Sequence, residues 1–252
     1  MRTLRSKIAA LGLLTAVALA PACQRAVYQP QARLAPVTAQ PVGKAIPDDA
    51  RATATIAPYR EKVVSQMTTV LGTAPVALTK SPGESLLSNF VADLQRTEAS
   101  KALGRPIPLG VMTNGGLRAP IPAGPVTVGT VFELMPFENQ LVVLDAPGPV
   151  VQQLFDFAAR TKMAVSGATF TVTSEGKPAA ILIGGQPFDA SRSYAIAISD
   201  YLAGGGDAMA FFKPLRPEGT GVLLRDAIIT YIKEQTAQGK PVQATIEGRI
   251  KL

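Results

Sequence analysis

Two glycine-bearing loops carry the side chains best suited to holding a ligand. The first, Thr113-Asn114-Gly115-Gly116-Leu117-Arg118, follows the apolar run Leu109 to Met112, which reads as a strand. Adjacent glycines let the backbone turn sharply and leave its amides open to an anion, and Arg118 adds a planar, permanently charged fork. Alone, a Gly-Gly turn ending in an exposed arginine is more often a turn and nothing else. The second loop, Ser199-Asp200-Tyr201-Leu202-Ala203-Gly204-Gly205-Gly206-Asp207, sets a ring and a carboxylate on either side of three glycines. It lacks the lysine of a phosphate-cradling loop.

With Pro136-Phe137-Glu138-Asn139 these loops supply two aromatic rings, an asparagine amide, an arginine and a carboxylate, all leaving a rigid scaffold. Such a set suits a nucleotide. Rings at Phe137 and Tyr201 can sandwich a base, an amide can read its edge, Asp207 can take ribose hydroxyls, and Arg118 can hold phosphate. The sharpest form of this expectation has the two rings facing one another across a cleft floored by the Asn114 loop and edged by Asp207.

The elements that position these loops follow from periodicity. Tyr59, Val63, Met67 and Val70 fall at helical spacing after Pro58, predicting an amphipathic helix that docks on the domain and ends before Gly72 and Pro75. Ser81 can cap a second helix, with Pro82 in its first turn, Leu86, Leu87, Phe90, Val91 and Leu94 as its buried stripe, and Gly104 closing it. A brief helix starts near Thr127, a strand spans Gln140 to Asp145, and Val150, Val151, Leu154, Phe157 and Ala158 mark a third long helix. Strands are predicted at Thr169 to Thr173, Ala179 to Ile183 and Tyr194 to Ser199, with Gly184 and Gly185 turning between them. A helix over Gly221 to Gln235 and a strand over Val242 to Arg249 complete the chain. Hairpin and crossover links together predict an α+β fold, a mixed sheet with packed helices.

The composition narrows the chemistry. Among 252 residues there is no histidine, which excludes His-containing zinc sites and Ser-His-Asp triads. A carboxylate-only Mg²⁺ or Ca²⁺ site stays formally open. Met1, Arg2, Arg5 and Lys7 precede an apolar run from Ile8 to Ala20 and then Pro21-Ala22-Cys23, the layout of a secretory signal and too short to span a membrane. The single cysteine, Cys23, sits where a lipoprotein signal peptidase would expose it for acylation, so residues 1–22 are expected to be a lipoprotein signal peptide; ordinary secretory cleavage is the alternative. Removing them would lower the formal net charge of +7 by three, and no basic grip on nucleic acid is indicated. Residues 23–53, rich in Pro, Ala and Gln, read as a tether, and residues 54–252 as the one domain.

The segment Glu84 to Asp93, the Asn114 to Arg118 loop, Pro136-Phe137, Ser166-Gly167, Asp200 to Asp207 and Glu247-Gly248-Arg249-Ile250 stand in an order that resembles the 5'-nucleotidase family, which includes UDP-sugar hydrolases and 2',3'-cyclic phosphodiesterases. The resemblance is to its C-terminal, substrate-binding domain and runs from about Pro58 to Leu252. It implies that Asn114 contacts the base, Arg118 the phosphate and Asp207 the ribose, that Phe137 and Tyr201 sandwich the base, and that Gly115, Gly116, Gly167, Gly205 and Gly206 shape the loops. Tyr201 stands where the family places phenylalanine. The first loop has one glycine fewer than the family's, and no arginine precedes Glu84. Losing one charge-assisted contact costs about 1.5–3 kcal/mol, so phosphate should be held roughly tenfold to a hundredfold less tightly.

The family's longer members carry an N-terminal metallophosphatase domain with two metal ions held by His, Asp and Asn ligands. The sequence therefore predicts no catalytic residue, metal or cofactor in this chain, and a separately encoded metallophosphatase as partner. A lipid anchor at Cys23 would hold both halves on one membrane, facing the periplasm or the cell surface. The alternatives are a stand-alone nucleotide- or nucleoside-binding lipoprotein, and a domain that has lost its ligand.

Overall fold

The structure is a computed structural model that describes residues 39, 43 and 46–251. The expected signal peptide, Cys23 and most of the expected tether lie outside these residues. The architecture below is that of the compact unit Ala50–Leu252. In chain order it runs α1 (Ala50–Met67), β1 (Val70–Ala74), α2 (Leu86–Leu103), β2 (Leu109–Gly110), β3 (Gly124–Thr127), α3 (Val128–Leu134) and β4 (Gln140–Pro147). There follow α4 (Gly148–Thr161), β5 (Ala168–Val172), β6 (Pro178–Ile183), β7 (Gln186–Pro187), β8 (Ser193–Ser199) and α5 (Asp200–Ala203). The last are β9 (Glu218–Leu223), α6 (Leu224–Ala237) and β10 (Ile250–Lys251).

A mixed sheet of order β2-β8-β4-β9 forms the middle layer. Strand β2 runs parallel to β8, and β4 is antiparallel to both β8 and β9. Successive side chains of β4 point to opposite faces, so Leu141 and Val143 enter one core while Val142 and Leu144 enter the other. Because both faces are covered, the two central strands are apolar nearly throughout. On one side Phe90 and Leu94 of α2 pack with Ile228 and Ile232 of α6. On the other lie Phe155 of α4 and Phe170 of a second sheet, of order β10-β5-β6-β7. The expected α+β class and mixed sheet describe this arrangement.

Several elements differ from expectation, some for a local reason and some because of a distant contact. Helix α1 starts at Ala50, taking in the end of the expected tether, and continues through Pro58. It has no buried residue, and Tyr59 and Val63 are exposed, so it does not dock as an amphipathic helix should. After Met67 the chain becomes β1, paired with β3, because its backbone lies against α6: a Cβ on Gly72 would come within 2.5 Å of the Thr236 hydroxyl. Helix α2 is capped by Ser85, not Ser81. Ser85 and Ser88 form a reciprocal capping box, and Gly83, at φ +83°, could not belong to a helix. Gly104 closes it in the left-handed conformation, as expected.

Residues 221–223 belong to β9, so α6 starts at Leu224. The expected strand from Val242 to Arg249 is absent, and only Ile250–Lys251 joins a sheet. Side chains of α2 and its approach hold that stretch instead. Glu84 accepts from the amides of Glu247 and Arg249 at 2.7 and 2.8 Å, and Asn89 donates to the Thr245 carbonyl at 2.7 Å.

Candidate functional site

The sheet's order brings the ligand loops together. Since β2 and β8 are parallel neighbours and β4 lies antiparallel beside β8, the chain leaves β2, leaves β8 and enters β4 at one edge. The loops at that edge are 111–118, 199–207 and 135–139. They enclose an open cleft of about 610 Å³ floored by Met112, Met135, Leu202 and Leu224 and edged by Arg118, Phe137, Glu138, Asn139, Tyr201 and Asp207.

Both rings reach solvent, Phe137 at 42% and Tyr201 at 54% exposure, on separate loops of the same cleft. The Arg118 guanidinium lies 5.8 Å from the centre of the Phe137 ring, and its Nη1 donates to the Gly115 carbonyl at 3.3 Å. Tyr201 is set over Gly206 so closely that a Cβ there would stand 2.4 Å from the ring, which only glycine permits. Its hydroxyl donates to Asp207 Oδ1 at 3.1 Å, while Thr113 Oγ1 donates to Asp207 Oδ2 at 2.6 Å. Gly115 and Gly116 line the cleft, and Gly205 makes the left-handed turn at φ +90° before Gly206.

Two expected site residues lie elsewhere. Asn114 is not among the residues lining the cleft: its Nδ2 donates to the Ser81 carbonyl at 2.8 Å, and it borders an adjoining hollow of about 190 Å³ that shares Met112, Thr113 and Asp207 with the cleft. The asparagine beside the rings is Asn139, whose Nδ2 donates to Asp200 Oδ1 at 2.9 Å. Gly167 is outside the cleft as well. At φ +81° a Cβ on it would meet the Pro108 carbonyl oxygen at 1.9 Å, so its glycine serves close backbone packing.

Three further residues hold the site from behind. Arg225, 8% exposed, donates through Nη1 to the Pro136 and Phe137 carbonyls, both at 3.4 Å, and sits 4.2 Å over the Phe132 ring. Lys80 Nζ donates to the carbonyls of Asn114 and Leu117 at 3.0 and 2.6 Å, bracing the first loop. Thr113 braces Asp207. None of these carries a sequence signal: each acts on a partner 34 to 94 residues away. For Asn139 the signal was its place two residues after Phe137.

A family model described as 5'-nucleotidase, C-terminal domain, matches residues 63–214. A cell wall protein of Listeria monocytogenes is 29% identical over 183 residues, which are 66% of this chain and 23% of that protein. A trifunctional nucleotide phosphoesterase protein of Bacillus subtilis is 26% identical over 185 residues, 67% of this chain and 12% of that one. The chain thus spans less than a quarter of these relatives. Among solved structures, the 5'-nucleotidase precursor of Thermus thermophilus superposes with a TM-score of 0.67 at 27% identity, over 82% of this chain and 44% of that one.

Proposed function

The chain belongs to the 5'-nucleotidase C-terminal domain family, and from that membership we propose that it is the substrate-binding member of a split hydrolase of nucleotide catabolism. Its cleft takes a nucleotide or nucleoside, and a separately encoded metallophosphatase supplies the reacting metals. The observation that carries this reading is the pair of exposed rings, Phe137 and Tyr201, on separate loops of one cleft with Arg118, Asn139 and Asp207. The rings hold the base, Asn139 reads its edge, Asp207 accepts from ribose hydroxyls, and Arg118 meets the phosphate at the rim.

The metal site that the resemblance implies for longer relatives does not fit the donors of this chain. Histidine is missing from the sequence, and among the described residues no three Cys, Asp or Glu side chains stand together as a metal site. No step is assigned to a metal here. Export and acylation at Cys23 would keep the chain at a membrane surface with its partner, and the cell-wall name of the Listeria relative agrees with export.

A second reading, capture of nucleosides without hydrolysis, draws support from charge. Arg118 is the one cation among the lining residues, set against Glu138 and Asp207. Thermal shift of the full chain with adenosine, uridine and their 5'-monophosphates tests the cleft, since a ligand bound only by the native state raises the melting point. Stabilisation by at least one is expected. No shift with any of the four would sink both readings. Release of phosphate by the chain alone, free of contaminating phosphatase, would sink the split-enzyme reading.

A further inference from the structure

The Tyr201 hydroxyl is bonded twice to one residue. It donates to Asp207 Oδ1 at 3.1 Å and accepts from the Asp207 amide at 3.4 Å. Asp207 and Ala208 both adopt left-handed backbone, at φ +49° and +65°, a region that residues with a side chain seldom enter and that persists where surrounding contacts enforce it. The contacts here are the Tyr201 hydroxyl and, from the other loop, the Thr113 hydroxyl on Asp207 Oδ2 at 2.6 Å. The ring packs so close to Gly206 that a Cβ there would stand 2.4 Å from it, which leaves it no room to swing that way.

We infer that the Tyr201 hydroxyl is a positioning group that fixes the Asp207 carboxylate for the hydroxyl pair of a ribose, making Tyr201 a determinant of sugar recognition in addition to a stacking surface. This rests on the reading that the cleft takes a nucleoside. A carboxylate is an acceptor with about four lone-pair sites, and the chain's own two side-chain donors leave capacity on both oxygens. What completes it is a donor, and a vicinal diol brings two. Both chain donors are neutral hydroxyls, so they orient Asp207 without cancelling its charge, and a charge-assisted bond from the ligand keeps its strength. A phenylalanine at 201 would offer the same stacking face yet leave Asp207 held on one oxygen only.

The test is isothermal titration of the full chain and its Tyr201→Phe variant with adenosine and uridine, each beside its 2',3'-dideoxy analogue. The unaltered chain should prefer the ribose form by about tenfold or more, the worth of one charge-assisted bond. Tyr201→Phe should weaken the ribose form several-fold and leave the dideoxy form unchanged within about twofold. Thr113→Val, which removes the other donor from a different loop, should narrow the same ratio. An unchanged ratio in Tyr201→Phe, or equal weakening of both forms, would overturn the inference while leaving the cleft as a nucleoside site. No binding of either nucleoside to the unaltered chain would overturn the cleft reading, and this inference with it.

Discussion

Two polar clusters sit on this fold, and they differ in where their groups are spent. In the clasp, the Arg249 side chain, 5% exposed, pairs with Asp93 at 2.7 Å and with Glu247 at 2.9 Å. Glu84, its side chain 6% exposed, accepts from Asn89 and from two backbone amides. Acidic, basic and amide groups so gathered look like a catalytic centre on paper. Yet they act on the protein itself, fastening residues 245–251 to α2. In the cleft the same residue types stand on loops, with two rings open to solvent between them. A functional site is thus marked less by titratable groups in proximity than by groups whose remaining capacity faces open space.

If the clasp is structural, breaking it should cost stability and little else. Glu84→Ala is expected to lower the unfolding free energy by about 3 kcal/mol or more, since it removes charge-assisted bonds to three donors and leaves Arg249 less compensated. Nucleoside affinity of the folded fraction should stay as it was. Burial by itself would raise the Glu84 carboxyl, but the hydrogen bonds from the Glu247 amide, Asn89 and the Arg249 amide, with the Arg249 charge, carry it below its ordinary value. A depressed carboxyl contributes stability above its unfolded pKa of about 4.3 and loses it as pH falls through the lower folded value. Urea midpoints should therefore show the variant's deficit in full at neutral pH and shrinking on strong acidification. A deficit independent of pH would place its cause elsewhere.

The rings should behave in the opposite way. Phe137→Ala or Tyr201→Ala is expected to weaken nucleoside binding about tenfold or more, by analogy with stacking worth about 1–3 kcal/mol per base. Loss of so exposed a side chain should change stability by about 1 kcal/mol or less. A ring whose removal unfolds the protein and leaves affinity alone would move that residue from the cleft to the core.

How legible these two regions were in the sequence follows from the range of the forces that build them. Periodicity located α2, α4 and the central strands β4 and β8, because one buried face repeats within each. It failed where the decisive contact was distant. Residues 242–249 alternate like a strand, but their partners are Glu84 and Asn89, more than 150 residues earlier. Val70 continues a helical spacing, but the α6 face against Gly72 decides for a strand. The rings, Arg118 and Asp207 could be picked out because loop chemistry is local and its residue types are few. Nothing local to Asn114 told that its amide closes on the Ser81 carbonyl, 33 residues earlier. Arg225 was invisible, lying on a helix with nothing local to mark it.

Arg225 joins the two kinds of region, since it is buried like the clasp yet serves the cleft. Arg225→Met keeps the length and much of the volume while removing the donors to the Pro136 and Phe137 carbonyls. Freed to move, the Phe137 loop should bind nucleosides several-fold less tightly, with a loss of about 1–2 kcal/mol in stability for the unpaired carbonyls. Titration and urea melts on the same preparation separate the two effects. A purely structural Arg225 would show only the second.

The smallest expected effect is also the most selective. Arg118 is exposed, borders the cleft, and spends one Nη1 bond on Gly115 and its face on Phe137, leaving most of its donors for a ligand. Its guanidinium lies 5.8 Å from the Phe137 ring centre, where an exposed cation–π contact is worth about 0.5–1 kcal/mol. Removing it should scarcely alter the grip on a neutral nucleoside. A phosphate ester adds an anion at the rim, where Arg118 is its one counter-charge among the lining residues and Glu138 and Asp207 oppose it. Arg118→Ala should accordingly weaken a nucleoside 5'-monophosphate about tenfold while leaving the nucleoside within about twofold, measured by titration at low salt. Raising the ionic strength should reduce the difference, because exposed charges are screened over about 10 Å at 0.1 M. Equal weakening of both ligands would assign Arg118 to holding the Phe137 ring, and the phosphate would then need another counter-charge.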